Sequence, residues 1–248
     1  NQSVLLEVER SLRVDHLRQA IVHLVNHHDA LRASFQQEMD ESWQQTIGDP
    51  VDELDADAVQ EFDLSSLSAD DARRKLDDLA QQIQASLNIH GGPLVRAARF
   101  RTGTRRPDRL LLVIHHLVVD GWSLAQLVKE VLLAYQLLRS NSPLALDPAP
   151  SLRSYMAWLK KQSFDEAQEF WQNYLQDVRG GVKLGFEINQ PKHHGDRLGN
   201  TSARLSVSST AALEEFAREH RLTLNTVVQA SWSILLSRYS GETDVVYG

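Results

Sequence analysis

The chain predicts a mixed α/β fold (α+β in its ordering), on three observations. Strand and helix patterns interleave without the short, regular spacing of a doubly wound sheet. Two short strands read as a hairpin. Residues 110–114, Leu-Leu-Leu-Val-Ile, form an unbroken apolar run of the kind found in a strand covered on both faces. Taken in order, residues 3–8 alternate and read as a strand. Leu17, Ile21, Leu24, Val25, His28 and Leu31 recur at helical spacing, which predicts an amphipathic helix over 14–31. Residues 33–37 and 42–47 make the hairpin around Met39, Asp40 and Glu41, and 49–67 is acidic and irregular. Ser68, with Asp71 at the third helical position, caps a second helix that sets Ala72, Leu76, Leu79, Ala80, Ile83 and Leu87 on one face.

Gly91-Gly92-Pro93 ends that segment. Strands follow over 94–100 and 110–114, separated by a Gly- and Pro-containing turn at 102–108. Ser123 with Gln126 resembles a capping box and opens a helix carrying Leu124, Leu127, Val128, Val131, Tyr135 and Leu138. A proline-rich connection at 142–150 leads to two aromatic-rich helices, about 152–162 and 165–177. Residues 180–200, with Gly180, Gly181 and Pro191, read as a linker. A strand at 203–207, helices at about 210–220 and 224–239, and a strand cut off near Gly248 complete the chain. The division is therefore 1–179, a linker 180–200, and 201–248. Both ends, Asn1 without a Met and Gly248 within a strand pattern, look like cuts through a longer protein.

Charge and composition narrow the function. Lys and Arg number 26 against 33 Asp and Glu, a net charge of -7, which argues against a nucleic-acid or anionic-membrane binder. No apolar run approaches the ~18 residues a membrane span needs. There are no cysteines, which excludes disulfides, thiolate nucleophiles and Cys-zinc sites. With no charged-then-apolar leader, the expected location is cytoplasmic.

Ten histidines include three adjacent pairs. His27-His28 falls near the end of a helix and His193-His194 in the linker, and both read as structural or solvated. His115-His116 directly follows the buried strand and precedes Leu117-Val118-Val119-Asp120-Gly121 and a capped helix. Adjacent strand side chains point to opposite faces, so one ring can meet a cleft while the other meets the core. Zinc binding has no supporting ligand spacing, and the serine-hydrolase, P-loop and dinucleotide signatures are absent. A histidine acting as base or hydrogen-bond donor near neutral pH and a core histidine with a satisfied partner both remain open.

The His-His-x-x-x-Asp-Gly pattern at 115–121, followed by Trp122-Ser123, closely resembles the condensation domains of nonribosomal peptide synthetases. These belong to the chloramphenicol-acetyltransferase-like acyltransferase superfamily. The stretches His27-His28-Asp29-Ala30-Leu31-Arg32-Ala33-Ser34-Phe35 and Gly92-Pro93-Leu94-Val95-Arg96-Ala97 are similar to further motifs of that family, in the same order. So are Tyr155-Met156-Ala157-Trp158, Phe170-Trp171-Gln172-Asn173-Tyr174-Leu175, Leu222-Thr223-Leu224-Asn225-Thr226 and the run from Ser237-Arg238-Tyr239-Ser240-Gly241 to Gly248. The resemblance implies a two-lobed sandwich truncated at both ends, 1–179 being the first lobe and 201–248 the start of the second. The family's first motif and the later second-lobe segments are missing, and 152–158 matches only in part.

The resemblance also implies a chemistry. A carrier-bound acceptor amine attacks a carrier-bound donor thioester, giving an amide and a free thiol. His116 takes the catalytic role, as base or hydrogen-bond donor, and His115 braces the strand. Asp120 is structural and paired with Arg32 in a salt bridge, so that losing Arg32 harms folding as much as activity. Gly121 permits a tight turn and close approach of substrate, Trp122 packs, and Ser123 caps the helix. No cofactor or metal is bound by the domain itself; substrates ride on the 4'-phosphopantetheine of upstream and downstream peptidyl carrier proteins, beside an adenylation domain. Nucleic acid and membrane are not implied partners. An epimerisation domain, a non-catalytic carrier-docking module and a freestanding acyltransferase using coenzyme A are the alternatives. Epimerisation domains usually continue Asp-Gly-Val-Ser-Trp, whereas Asp120 is followed here by Gly121-Trp122-Ser123-Leu124.

Overall fold

The computed structural model describes residues 1–91, 94–104, 106–178, 180–182, 184 and 202–247, in two units, Asn1–Gln162 and Ser163–Gly248. The first unit runs β1 (Gln2–Val8), α1 (Val14–His27), a 3-10 turn (Asp29–Arg32), β2 (Ala33–Gln37), β3 (Trp43–Ile47), a short 3-10 turn (Ala56–Ala58), β4 (Val59–Asp63), α2 (Ala69–Ala85), β5 (Val95–Arg101), β6 (Asp108–Ile114), α3 (Gly121–Arg139) and α4 (Leu152–Leu159). The second contains α5 (Asp165–Tyr174), α6 (Val207–Glu219) and α7 (Leu224–Ser240).

Four strands of the first unit form one sheet in the order β1-β6-β5-β4. β6 is antiparallel to both neighbours and β4 is parallel to β5. The unbroken apolar run of β6 serves both faces, because successive side chains alternate. Leu110, Leu112 and Ile114 pack with Leu17, Ile21 and Leu24 of α1 and Leu127 and Val131 of α3. Leu111 and Val113 pack with Ala72, Leu76, Leu79 and Ile83 of α2. β2 and β3 pair as the separate hairpin the sequence predicts.

Several local expectations are corrected. The first helix stops at His27, because His28 adopts an extended conformation (φ -106, ψ 103), and a 3-10 turn carries the chain to Arg32. The acidic stretch 49–67 contains β4, whose Gln60, Glu61 and Asp63 hide the apolar pair Val59 and Phe62. Ser68 caps α2 as expected, accepting from the Asp71 N–H at 3.2 Å. The cap of α3 is Asp120, not Ser123. Residues 202–206 are coil rather than strand: Ser206 is the cap of α6 and accepts from the Ser209 N–H at 3.0 Å, which starts a helix where a strand was expected. Residues 244–247 form no strand, since nothing among the described residues pairs with them. α7 opens on Thr223 and closes on Gly241, whose φ of 76 is the left-handed conformation that favours glycine. Residues 92, 93 and most of 180–200, with His193 and His194, lie outside the described residues.

One buried polar group ties the first unit together. Arg99 of β5 donates to the Asp108 carboxylate at 2.7 and 3.2 Å and to the carbonyls of Arg10 and Leu12, each at 2.6 Å. Asp108 takes a further hydrogen bond from the Thr102 N–H at 3.1 Å. No helix among the described residues is long and apolar enough to cross a membrane.

Candidate functional site

β6 ends at Ile114, so His115 and His116 stand in the turn beyond the strand rather than on it. His115 is half-buried and tied on three sides. Its N–H donates to Leu94 O at 3.0 Å, its carbonyl accepts from the Val118 N–H at 3.1 Å, and its Nδ1 accepts from the Leu117 N–H at 3.2 Å. An accepting Nδ1 places the neutral ring's proton on Nε2. Burial pushes its pKa below 6.5, and the neighbouring His116 acts in the same direction. His116 is exposed, and its ring makes one hydrogen bond among the described residues, between its Nε2 and Nε2 of Gln2 at 2.9 Å. The β1–β6 register, with Gln2 opposite Ile114, brings these two side chains together.

Asp120 and Arg32 do not form the expected ion pair; each is engaged at a helix end instead. Asp120 Oδ1 accepts from the Ser123 N–H at 2.7 Å, and that bond holds the exposed carboxyl below the usual carboxylate range. Arg32 donates to the carbonyls of Val25 (2.7 Å) and Asn26 (2.8 Å) in the last turn of α1, and to Gly48 O at 3.0 Å. Unpaired N–H groups at one helix start and unpaired carbonyls at the other helix end attract these side chains, one acceptor and one donor.

Gly121 is the first residue of α3. It does not take the left-handed conformation, and a Cβ there would meet nothing within 4 Å, so the turn itself does not require glycine. Trp122 does not pack; it is 90% exposed, as Leu117 is at 56%. Two exposed apolar side chains thus follow the exposed imidazole in sequence. Asp120→Ala is expected to lower the melting temperature modestly by fraying α3, with Asp120→Ser retaining most of it. A drop as large as that from breaking a buried ion pair would restore the Arg32 assignment.

Two further side chains of the motif at 27–35, His28 and Asp29, bond to later helices. His28 pairs with Glu130 of α3, which also accepts from Gln126 at 2.8 Å. Burial pushes the Glu130 carboxyl up, and the hydrogen bonds from His28 and Gln126 outweigh it and leave the group lowered. Asp29 accepts from the Leu152 N–H at 3.0 and 3.1 Å, fixing the start of α4. A cavity of about 180 Å³ lined by Val8, Leu12, Leu110, Val131, Tyr135 and Arg139 lies at the far end of the β1–β6 ladder and does not reach the histidine pair. Among the described residues no cluster of His, Asp and Glu could hold a metal ion.

Two depressed histidines set an expected pH response. Burial lowers the pKa of His23, with the charge of His27 adding, and burial lowers that of His115. On acidification below 6.5 the unfolded chain takes up these protons before the folded one. Stability is therefore full above 6.5 and falls as pH drops through the lowered values. Thermal melts at about pH 7.5 and about pH 5 are expected to show the loss, reduced in His23→Gln.

Comparison with known proteins places this geometry in a family. The Condensation domain family matches residues 1–248, and the chain belongs to it. The fold is the chloramphenicol-acetyltransferase-like one that its solved members share. A linear gramicidin synthase polypeptide of Brevibacillus parabrevis is 32% identical over 246 residues, 98% of this chain and 5% of that protein. Surfactin synthase subunit 3 of Bacillus subtilis is 26% identical over 255 residues, all of this chain and 19% of that protein. The epimerization domain from the third module of tyrocidine synthetase B is 27% identical with a TM-score of 0.76, covering 98% of this chain and 55% of its own. The first condensation domain of the calcium-dependent antibiotic synthetase, at 20% identity and a TM-score of 0.73, shares the fold. The chain spans about half the length of these solved relatives and a small part of the curated ones.

Gln2 is the site residue that sequence motifs do not reveal. Nothing in its local pattern marks it; only the pairing of β1 with β6 carries it to the imidazole.

Proposed function

We propose that this chain is the histidine-bearing part of a nonribosomal peptide synthetase condensation domain that forms an amide bond. Residues 1–179 make its first lobe, 180–200 a linker and 201–248 the start of the second. The observation that carries this reading is an exposed imidazole at position 116, next to a half-buried, braced neighbour, inside the His-His-x-x-x-Asp-Gly-Trp-Ser sequence.

The substrates are acyl groups held as thioesters on the 4'-phosphopantetheine of upstream and downstream peptidyl carrier proteins, with an adenylation domain supplying them. The acceptor's α-amine has a pKa of about 7.7–8.0 and is partly neutral at pH 7. Its lone pair attacks the donor carbonyl carbon; the C–N bond forms and the C–S bond breaks. The displaced amine proton passes to His116 and from there to the leaving sulfur, giving a free thiol. His115 holds the turn, Asp120 fixes the start of α3, and the open space over Gly121 leaves room for substrate beside the backbone. Positioning two carrier-bound groups supplies much of the rate. In the full-length protein with both carriers loaded, thiol release is expected to depend on the acceptor's amine. Release with soluble acyl-coenzyme A and no carrier would point to a freestanding acyltransferase.

A second reading, epimerisation at the donor's α-carbon, is favoured by the likeness to the tyrocidine epimerization domain. The Gly121-Trp122-Ser123 sequence supports condensation over it.

A further inference from the structure

Gln2 lies outside every motif, yet it is the sole hydrogen-bond partner of the His116 ring among the described residues. We propose that Gln2 is a positioning residue: its carboxamide fixes the His116 tautomer and keeps the Nε2 lone pair aimed where the acceptor amine binds. This rests on the catalytic role proposed for His116.

The contact runs from Nε2 of Gln2 to Nε2 of His116, 2.9 Å apart. A carboxamide nitrogen can only donate, so the ring nitrogen accepts. The neutral ring therefore carries its proton on Nδ1 and its lone pair on Nε2. His115 is the opposite: its Nδ1 accepts from the Leu117 N–H and its proton sits on Nε2. The two adjacent histidines are held in opposite tautomers by different partners, one from backbone and one from a side chain across the sheet.

The carboxamide N–H occupies the position an amine N–H must reach to hand over its proton. It acts as a stand-in, and the acceptor amine replaces one N–H donor with another at the same lone pair. The strand makes this arrangement firm. Gln2 is half-buried in β1, opposite Ile114, and its neighbour Asn1 donates to Gln84 O at 2.6 Å. The titratable group beside the ring is His115; Asp120, at the start of α3, is engaged with the Ser123 N–H. Neither competes for His116 Nε2.

Three variants of the full-length protein test the assignment by rate and pH profile. Gln2→Leu removes the donor and is expected to lower the rate of product formation about tenfold, less than the ~10²–10⁴-fold share of the base itself, with little change in KM. Gln2→Glu sets a carboxylate against the ring, favours the imidazolium, and is expected to move the acid limb of the pH profile to higher pH. Gln2→Asn shortens the reach and is expected to behave like Gln2→Leu. Ring ¹⁵N shifts in the 248-residue chain give a readout without turnover: Nδ1–H for His116, reverting towards Nε2–H in Gln2→Leu. An unmoved acid limb in Gln2→Glu, with an unchanged tautomer in Gln2→Leu, would overturn the proposal. His116→Ala separates the two readings. If it is inactive while every Gln2 variant is normal, the positioning role alone fails; if it is active, the role of His116 fails.

Discussion

Replacing His116 by alanine is expected to slow amide formation in the full-length protein by ~10²–10⁴-fold, the usual share of a positioned acid or base. The fold should be unaffected. The ring is exposed and makes one hydrogen bond among the described residues, so its removal opens no cavity and strands no buried group there. His115→Ala should differ in kind. That ring is half-buried and accepts the Leu117 N–H, and its loss loosens the turn that carries His116. Product formation on loaded carriers, measured beside a thermal melt, distinguishes the two. A normal rate in His116→Ala would remove the catalytic assignment.

The largest stability effect is expected at Arg99. The Asp108 side chain is 3% exposed and the Arg99 side chain 10%, and their separation is 2.7 Å. Arg99→Met leaves a buried carboxylate without its cation and the carbonyls of Arg10 and Leu12 without a donor. Removing one member of such a pair costs ~3–5 kcal/mol. That should lower the urea midpoint by about 1 M or more. Arg99→Met with Asp108→Leu should recover part of the loss, since the stranded charge is gone. A single variant within error of the parent would mean that the network contributes nothing net.

The parts of the fold legible in the sequence were those set by local pattern. The unbroken run of β6 announced a strand covered on both faces, and Ser68 with Asp71 announced the start of α2. β4 was hidden because its pairing is with β5, far along the chain, and its exposed positions are charged. The candidate site divides the same way. His115 and His116 were visible as neighbours in a motif. Gln2 was invisible, because antiparallel pairing with β6 is what delivers it. Arg32 and Asp120 were read as one ion pair, and the structure gives each of them other partners. The orphan carbonyls of α1 and orphan N–H groups of α3 are nearer claims on them than each other's charge.

This division has a physical root. Periodicity and caps depend on residues a few positions apart. Cross-strand neighbours depend on a register that both partners must be in place to define. Asp29 makes the point within one motif: it sits in a recognisable run, yet its function is to fix the start of α4 more than a hundred residues later.

The most direct test follows a donor aminoacyl group bearing deuterium at its α-carbon, loaded on the upstream carrier and mixed with an amine-bearing downstream carrier and the full-length protein. Intact-carrier mass spectrometry reads both fates in one turnover. Amide formation through His116 puts the donor on the downstream carrier with its deuterium retained. Deuterium washed out while the donor stays on its original carrier would show α-carbon chemistry instead, and would contradict the account.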